Sequence, residues 1–173
     1  MHIFLTGEIQ VGKTTIIRNF LSQYGLSADG FITYWEPANS ENGVDRMLYL
    51  CAYSTDVQAV ERYLVTCSFE HKLLRTENIV SVFDIHGTEI LQNSGKLDVI
   101  IMDELGFMES QAKIFQNAVM QHVSGLVPIL GVIKPAQTEF LNVIRSFSNV
   151  KVCEVTVDNR ETILAWLLKQ NWR

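Results

Sequence analysis

The chain has 173 residues, 47% of them apolar, and a formal charge of −5 at pH 7. That length fits one domain burying about 70% of its unfolded surface, and an acidic balance with no basic block argues against a nucleic-acid partner. No apolar run reaches the roughly 18 residues of a membrane span, and Cys51, Cys67 and Cys153 are odd in number and widely separated, which fits free thiols in a reducing compartment.

The run His2-Ile3-Phe4-Leu5-Thr6 reads as a buried strand. It starts at residue 2, so no signal or transit peptide is expected and a cytoplasmic location follows. It leads into Gly7-Glu8-Ile9-Gln10-Val11-Gly12-Lys13-Thr14, a complete G-x-x-x-x-G-K-[ST] phosphate loop. A helix pattern follows, with Ile17, Phe20, Leu21 and Tyr24 on one face and Gly25 where a left-handed cap is expected. Strand, loop and helix stand in the order the motif requires. Backbone N–H groups of such a loop wrap a chain of phosphates, and the helix N-terminus adds partial positive charge. Gly7, Glu8, Ile9, Gln10, Val11, Gly12, Lys13, Thr14 and Thr15 are therefore the expected nucleotide-binding residues. Lys13 would reach the β- and γ-phosphates, and the Thr14 hydroxyl would ligate magnesium.

Asp29 to Trp35 reads as a second strand running into a turn-rich stretch, Glu36 to Gly43, with a returning strand over Met47 to Tyr53. Residues 36–80 read as a hairpin-rich antiparallel insertion within a single domain, and 54–81 shows no firm period beyond a candidate strand at Tyr63 to Thr66. A helix is expected over Phe83 to Gln92, weakened by Gly87 and stopped by Asn93-Ser94-Gly95. Leu97 to Met102 is a buried strand, Ser110 to Val123 a helix, and Leu126 to Ile133 another strand with Pro128 near its start. Thr138 can cap a helix to about Phe147, and Lys151 to Val157 is the last strand. Asp158 and Glu161 have capping-box spacing ahead of a helix burying Ile163, Trp166 and Leu167. Strands alternating with helices predict a three-layer α/β fold, its sheet mostly parallel with an antiparallel extension.

Asp103-Glu104 ends the apolar run Val99-Ile100-Ile101-Met102, which is the form of a Walker B element. Ligands of an open α/β sheet sit at the carboxyl ends of its strands, so this tip and the phosphate loop face one crevice. Asp103 is the expected magnesium-side carboxylate beside Thr14, and Glu104 the base for an attacking water. In the additional-strand class of phosphate-loop proteins, 126–133 lies between the first strand and the Walker B strand. Lys134 then stands at its tip, either as a γ-phosphate-side cation or as a solvated loop lysine. Arg160 stands where a base could stack, with Asn159 offering hydrogen bonds, or is an exposed helix-start arginine. His2, His71, His86 and His122 show no ligand spacing, so no metal beyond magnesium is expected.

Together these pieces resemble the thermophile-type, or cancer-related, nucleoside triphosphatase family. The resemblance runs through Gly7 to Thr15, Gly30-Phe31-Ile32-Thr33 with Glu36, Asp103-Glu104-Leu105-Gly106 with Met108-Glu109, and Val155-Thr156 with Asn159-Arg160. It implies slow hydrolysis of several nucleoside triphosphates without strong base preference. The chain departs from the family where Glu8, Ile9 and Gln10 replace Pro and Gly, where Phe107 replaces a Lys, and where an Arg-containing stretch is reduced to Arg46-Met47-Leu48. The expected function is a magnesium-dependent nucleoside triphosphatase with Lys13, Glu104 and Lys134 as catalytic residues. The alternatives are a nucleotide or nucleoside kinase, for which only Arg62 and Arg75 offer lid arginines in the middle of the chain, and a nucleotide-gated regulatory protein with negligible turnover. A protein partner leaves no visible mark in the sequence.

Overall fold

The computed structural model describes residues 1–37, 44–54, 59–69, 72–74 and 78–172. Its strands are β1 (His2–Thr6), β2 (Ala28–Pro37), β3 (Val44–Ala52), β4 (Arg62–Phe69), β5 (Lys72–Leu74), β6 (Val99–Leu105), β7 (Ile129–Ile133) and β8 (Val150–Glu154). They form one sheet in the order β5-β4-β3-β2-β6-β7-β1-β8. From β2 to β8 across that order the pairs are parallel, whereas β2–β3, β3–β4 and β4–β5 are antiparallel. β7 is thus inserted between β1 and β6, the arrangement expected of the additional-strand class. The tip of the expected hairpin, at 38–43, lies outside the described residues.

Side chains alternate across the sheet with period two, and both faces of the central strands β1, β6 and β7 are covered, which is why those strands read as largely apolar runs. On one face Ile3, Leu5, Ile101 and Leu130 meet Ile16, Ile17 and Phe20 of α1 (Lys13–Tyr24) and Leu164 and Leu167 of α6 (Arg160–Leu167). Trp172 closes this layer: it is 1% exposed, lies 4.8 Å from the Phe20 ring, and donates from Nε1 to the Leu167 carbonyl at 3.0 Å. On the other face Phe4, Phe31, Ile100 and Met102 meet Phe83, Phe115, Val119 and Leu141 from the intervening helices.

Those helices are α2 (Ile79–Ser81), a π-helical stretch Val82–Gly87, α3 (Thr88–Asn93), α4 (Lys113–Val123) and α5 (Glu139–Ser146). The glycine that weakened the expected helix at 83–92 has a packing reason. A Cβ on Gly87 would lie 2.7 Å from Cδ2 of Phe115, so only glycine lets the two helices approach this closely. The same contact region supplies a cap. Ala112, at the N-cap of α4, has no polar side chain, and Asp84 Oδ1 instead accepts from the Phe115 N–H at 2.9 Å.

Of the three caps foreseen, two form: Gly25 is left-handed with its N–H on the Leu21 carbonyl, and Thr138 Oγ1 accepts from Leu141 N at 3.2 Å. Other boundaries are corrected. α4 starts at Lys113 instead of Ser110, because Met108–Gln111 forms a separate 3-10 turn. β7 starts at Ile129, one residue after Pro128, and β8 runs Val150–Glu154 instead of 151–157. The N-cap of α6 is Asn159, not Asp158, and no side chain caps it. Leu164 and Leu167 form its buried stripe; Ile163 and Trp166 are half-buried, with the Lys151 ammonium 4.3 Å from the Trp166 ring.

Candidate active site

The topology lines the predicted groups along one edge of the sheet. From β8 toward β3, that edge carries Arg160, the loop after β1, Lys134 after β7, Asp103 and Glu104 in β6, Thr33 to Trp35 in β2, and Arg46 in β3. A cleft of about 450 Å³ there is lined by Ile9, Gln10, Gly12, Lys13, Thr14, Thr15, Asp103, Glu104 and Lys134 among the predicted residues. Gly7 makes the loop's departure from β1 possible: a Cβ there would sit 2.3 Å from the Val155 carbonyl oxygen, and its φ is +128°. Val11 is turned away into the α1 core.

Lys13 is buried at the start of α1, its Nζ donating to the carbonyls of Gly7 at 2.9 Å and Glu8 at 2.6 Å. The ammonium is thereby held over its own loop. One residue on, the Thr14 hydroxyl donates to Asp103 Oδ2 at 2.8 Å, joining helix α1 to the tip of β6. Burial pushes the Asp103 carboxyl up to about 6, with the Glu104 charge adding; the Thr14 hydrogen bond and the positive charges of Arg18 and Lys13 act in the opposite direction. Thr14 and Asp103 offer two adjacent hard oxygen donors. Among the described residues no group of three His, Cys, Asp or Glu side chains could hold a metal. A pair of this kind still fits magnesium, which takes one or two carboxylates and completes its shell with phosphate oxygens and water.

Glu104 Oε2 lies 3.2 Å from Lys134 Nζ. Lys134 is held from three further sides. Its N–H donates to the Leu105 carbonyl at 2.8 Å, its own carbonyl accepts from Arg145 Nη2 at 2.6 Å, and its ammonium sits 5.5 Å from the Phe107 ring centroid. Phe107 therefore retains a link to this cation at the position where the resemblance expects a second lysine.

Behind this pair Glu109, 2% exposed, accepts from the Gly106 N–H, while its carbonyl accepts from Gln116 Nε2 at 2.7 Å. Burial, reinforced by the Glu104 charge, pushes the Glu109 carboxyl up to about 7; the Gly106 and Glu109 N–H groups and Lys134 oppose it. The ordinary value of 4.5 applies to the unfolded chain. Between the two values the folded state binds more protons than the unfolded state, so stability falls as pH rises through this window. Over the full window the loss is on the order of 3 kcal/mol. Asp103 adds a slope of the same sign between 3.8 and about 6. Denaturation midpoints of the parent should drop from pH 5 to pH 8, and Glu109→Gln should flatten much of that drop; an unchanged slope in Glu109→Gln would show that Glu109 ionises normally.

Asn159 and Arg160 stand apart from the cleft lining. The Asn159 carboxamide accepts from Thr156 N at 2.8 Å and donates to the Glu154 carbonyl at 3.0 Å, so it fastens its own loop. Arg160 is exposed and lies over the end of the phosphate loop: a Cβ on Gly12 would be 3.9 Å from both its Cδ and its Nη1.

The model of the NTPase family matches residues 2–168. The chain belongs to this family of phosphate-loop nucleoside triphosphatases. The mouse cancer-related nucleoside-triphosphatase homolog is 30% identical over 175 residues, covering 94% of this chain and 92% of the mouse protein. The nucleoside-triphosphatase THEP1 of Methanocaldococcus jannaschii is 27% identical, covering 98% and 96%. Among solved structures, THEP1 from Aquifex aeolicus superposes with a TM-score of 0.70 at 23% identity, covering 98% of this chain and all of that one. A human cancer-related nucleoside triphosphatase gives 0.67 at 26% identity, covering 96% and 95%. No helix among the described residues is long and apolar enough to cross a membrane.

The site of this NTPase contains more than its motifs announce. Thr33, Tyr34, Trp35 and Arg46 form the far wall of the cleft. The parallel pairing of β2 with β6 puts Thr33, Tyr34 and Trp35 there, joining segments about seventy residues apart in the chain, and the antiparallel pairing of β3 with β2 adds Arg46. The clue available in the sequence was that residues 30–33 carry part of the family resemblance.

Proposed function

We propose that this NTPase hydrolyses ATP, GTP and other nucleoside triphosphates to the diphosphate and phosphate, with magnesium and with broad base tolerance. The observation that carries the reading is the Thr14–Asp103 hydrogen bond of 2.8 Å, which joins phosphate loop and strand tip in one cleft with Glu104 beside them. Phosphoryl transfer demands mainly positioning and charge stabilisation, and the residues divide accordingly. Lys13 and the N–H groups from Gly7 to Thr15 grip the phosphates. Thr14 and Asp103 would hold magnesium, which neutralises charge on the β- and γ-oxygens. Glu104 accepts the proton of the attacking water, and Lys134 holds the Glu104 carboxylate in place while adding positive charge at the γ-phosphate. Arg160 stacks on the base from beyond Gly12. Stacking suits every base, and the Asn159 carboxamide is already bonded to its own loop; both features support broad tolerance.

Phosphate release should be measured across ATP, GTP, CTP and UTP, with magnesium and with chelator, and with added nucleoside acceptors. Comparable release from all four, dependent on magnesium and indifferent to acceptors, is expected. Phosphate passed to an acceptor instead of water would make the protein a kinase, and tight binding without release would make it a nucleotide-gated regulator. Arg160→Ala should raise KM for all four nucleotides and leave kcat largely intact, because uniform binding is lost. A fall in kcat at constant KM would move Arg160 into the transition state.

A further inference from the structure

Arg46 stands near the start of β3, at the edge of the sheet that carries the cleft, in register with Pro37 at the end of β2. Its guanidinium carbon lies 5.4 Å from the centroid of the Trp35 ring, and both side chains line the cleft shared by Lys13, Thr14, Glu104 and Lys134. The strand order gives this placement meaning. The phosphate loop lies on one side of β6, beyond β7, and Arg46 lies on the other side, beyond β2. A triphosphate gripped by the loop has its reacting end at Asp103 and Glu104, so Arg46 approaches that end from the side away from the loop.

The other cations of the cleft are committed. Lys13 is bonded to two loop carbonyls, and Lys134 is paired with Glu104. Arg62, on the neighbouring strand, is also engaged: Glu36 holds it at 3.0 Å, the Tyr34 hydroxyl accepts from it at 3.3 Å, and it lies 4.9 Å from the Tyr49 ring. Among the described residues, the Arg46 guanidinium packs against the Trp35 face. A guanidinium laid on an indole keeps its charge and its fork of N–H donors, and the ring orients it without neutralising it. Such a cation requires no reorganisation when charge develops nearby.

We infer that Arg46 is a catalytic residue that stabilises the charge developing on the γ-phosphoryl oxygens, and that Trp35 is the positioning residue that presents it. The inference rests on the hydrolase reading above. In the step concerned, the water oxygen bonds to the γ-phosphorus and its proton passes to Glu104. The bond from phosphorus to the β-bridging oxygen breaks, and the diphosphate leaves with the electron pair. Arg46 exchanges no proton and acts through its charge alone.

The test compares parent, Arg46→Ala, Arg46→Lys, Trp35→Leu and Trp35→Phe in steady-state hydrolysis and in binding of magnesium-ADP with and without aluminium fluoride, a mimic of the transferring phosphoryl group. In Arg46→Ala, kcat should fall by about 10³–10⁵, the range for an arginine of this kind. Affinity for ADP alone should hold, and the added affinity conferred by aluminium fluoride should vanish. Guanidinium ion in the buffer should restore part of the rate to Arg46→Ala and none to Trp35→Leu. Trp35→Leu should lower kcat with KM unchanged, and Trp35→Phe, which keeps an aromatic face, should recover most of it. If Arg46→Ala keeps the fluoride-dependent gain, or loses affinity for ADP and ADP–aluminium fluoride equally, Arg46 has no transition-state role, although the hydrolase reading stands. If the parent itself gains nothing from aluminium fluoride, the hydrolase reading fails and this inference falls with it.

Discussion

Lys13→Ala should leave a folded protein that binds magnesium-ATP far more weakly and turns it over barely at all. The side chain is buried at the helix start, yet its ammonium bonds to loop carbonyls, so no apolar packing depends on its charge. Removing one partner of a desolvated, hydrogen-bonded charge pair costs about 2–5 kcal/mol, or roughly 30- to 4,000-fold in affinity. Two further hydrogen bonds inside the loop disappear with it, which loosens the backbone cradle itself. Calorimetric titration beside a phosphate-release assay measures both effects, and circular dichroism confirms the fold. Phosphate release at the parental rate would end the phosphate-loop reading of this site.

Glu104→Gln separates the hydrolase from a mere nucleotide binder. The amide keeps the size and hydrogen bonding of the side chain but removes its basicity. A positioned base contributes about 10²–10⁴-fold, so single-turnover hydrolysis should slow by about 3–5 kcal/mol of barrier. Affinity for magnesium-ATP should hold or tighten, since a negative charge near the phosphates is gone and the Lys134 ammonium, 3.2 Å away in the parent, is released from its partner. Asp103→Asn should behave differently, losing turnover and magnesium dependence together, because Asp103 is bonded to Thr14, with which it would hold the metal. Parental hydrolysis by Glu104→Gln would reduce Glu104 to a partner of Lys134.

The central parallel strands β1, β6 and β7 were legible because they are buried on both faces and so read as largely apolar runs, with glycine and capping residues between the elements. The insertion was legible as antiparallel strands, but the extent of β4 was not: Tyr63 to Thr66 read as a strand where Arg62–Phe69 forms one. Its buried positions include Thr66 and Ser68, while Leu64 is exposed, so the polarity pattern runs against the burial pattern. The final helix start misled for a similar reason. Asp158 and Glu161 have the right spacing, but Asn159 forms reciprocal hydrogen bonds with Thr156 and sets the start of the helix. In the site, residues carried by a local motif were readable, namely the loop, Asp103 and Glu104. Arg46 and Trp35 owe their places to sheet pairing, which leaves no mark at short range in the sequence, while Glu109 stood in the resemblance but its burial behind Glu104 did not.

The placement of Trp35 also gives the protein a built-in optical reporter. Its three tryptophans occupy unlike surroundings: Trp172 is sealed beneath α1, Trp166 is half-buried beside Lys151, and Trp35 alone forms part of the nucleotide cleft, with a guanidinium over its ring. Indole emission responds to nearby charge and to solvent access. A ligand that brings phosphate charge beside Arg46 and covers the cleft changes both for Trp35 and neither for the other two. Intrinsic fluorescence can therefore follow occupancy of the cleft in real time on unlabelled protein, with Trp35→Phe as the matched dark control.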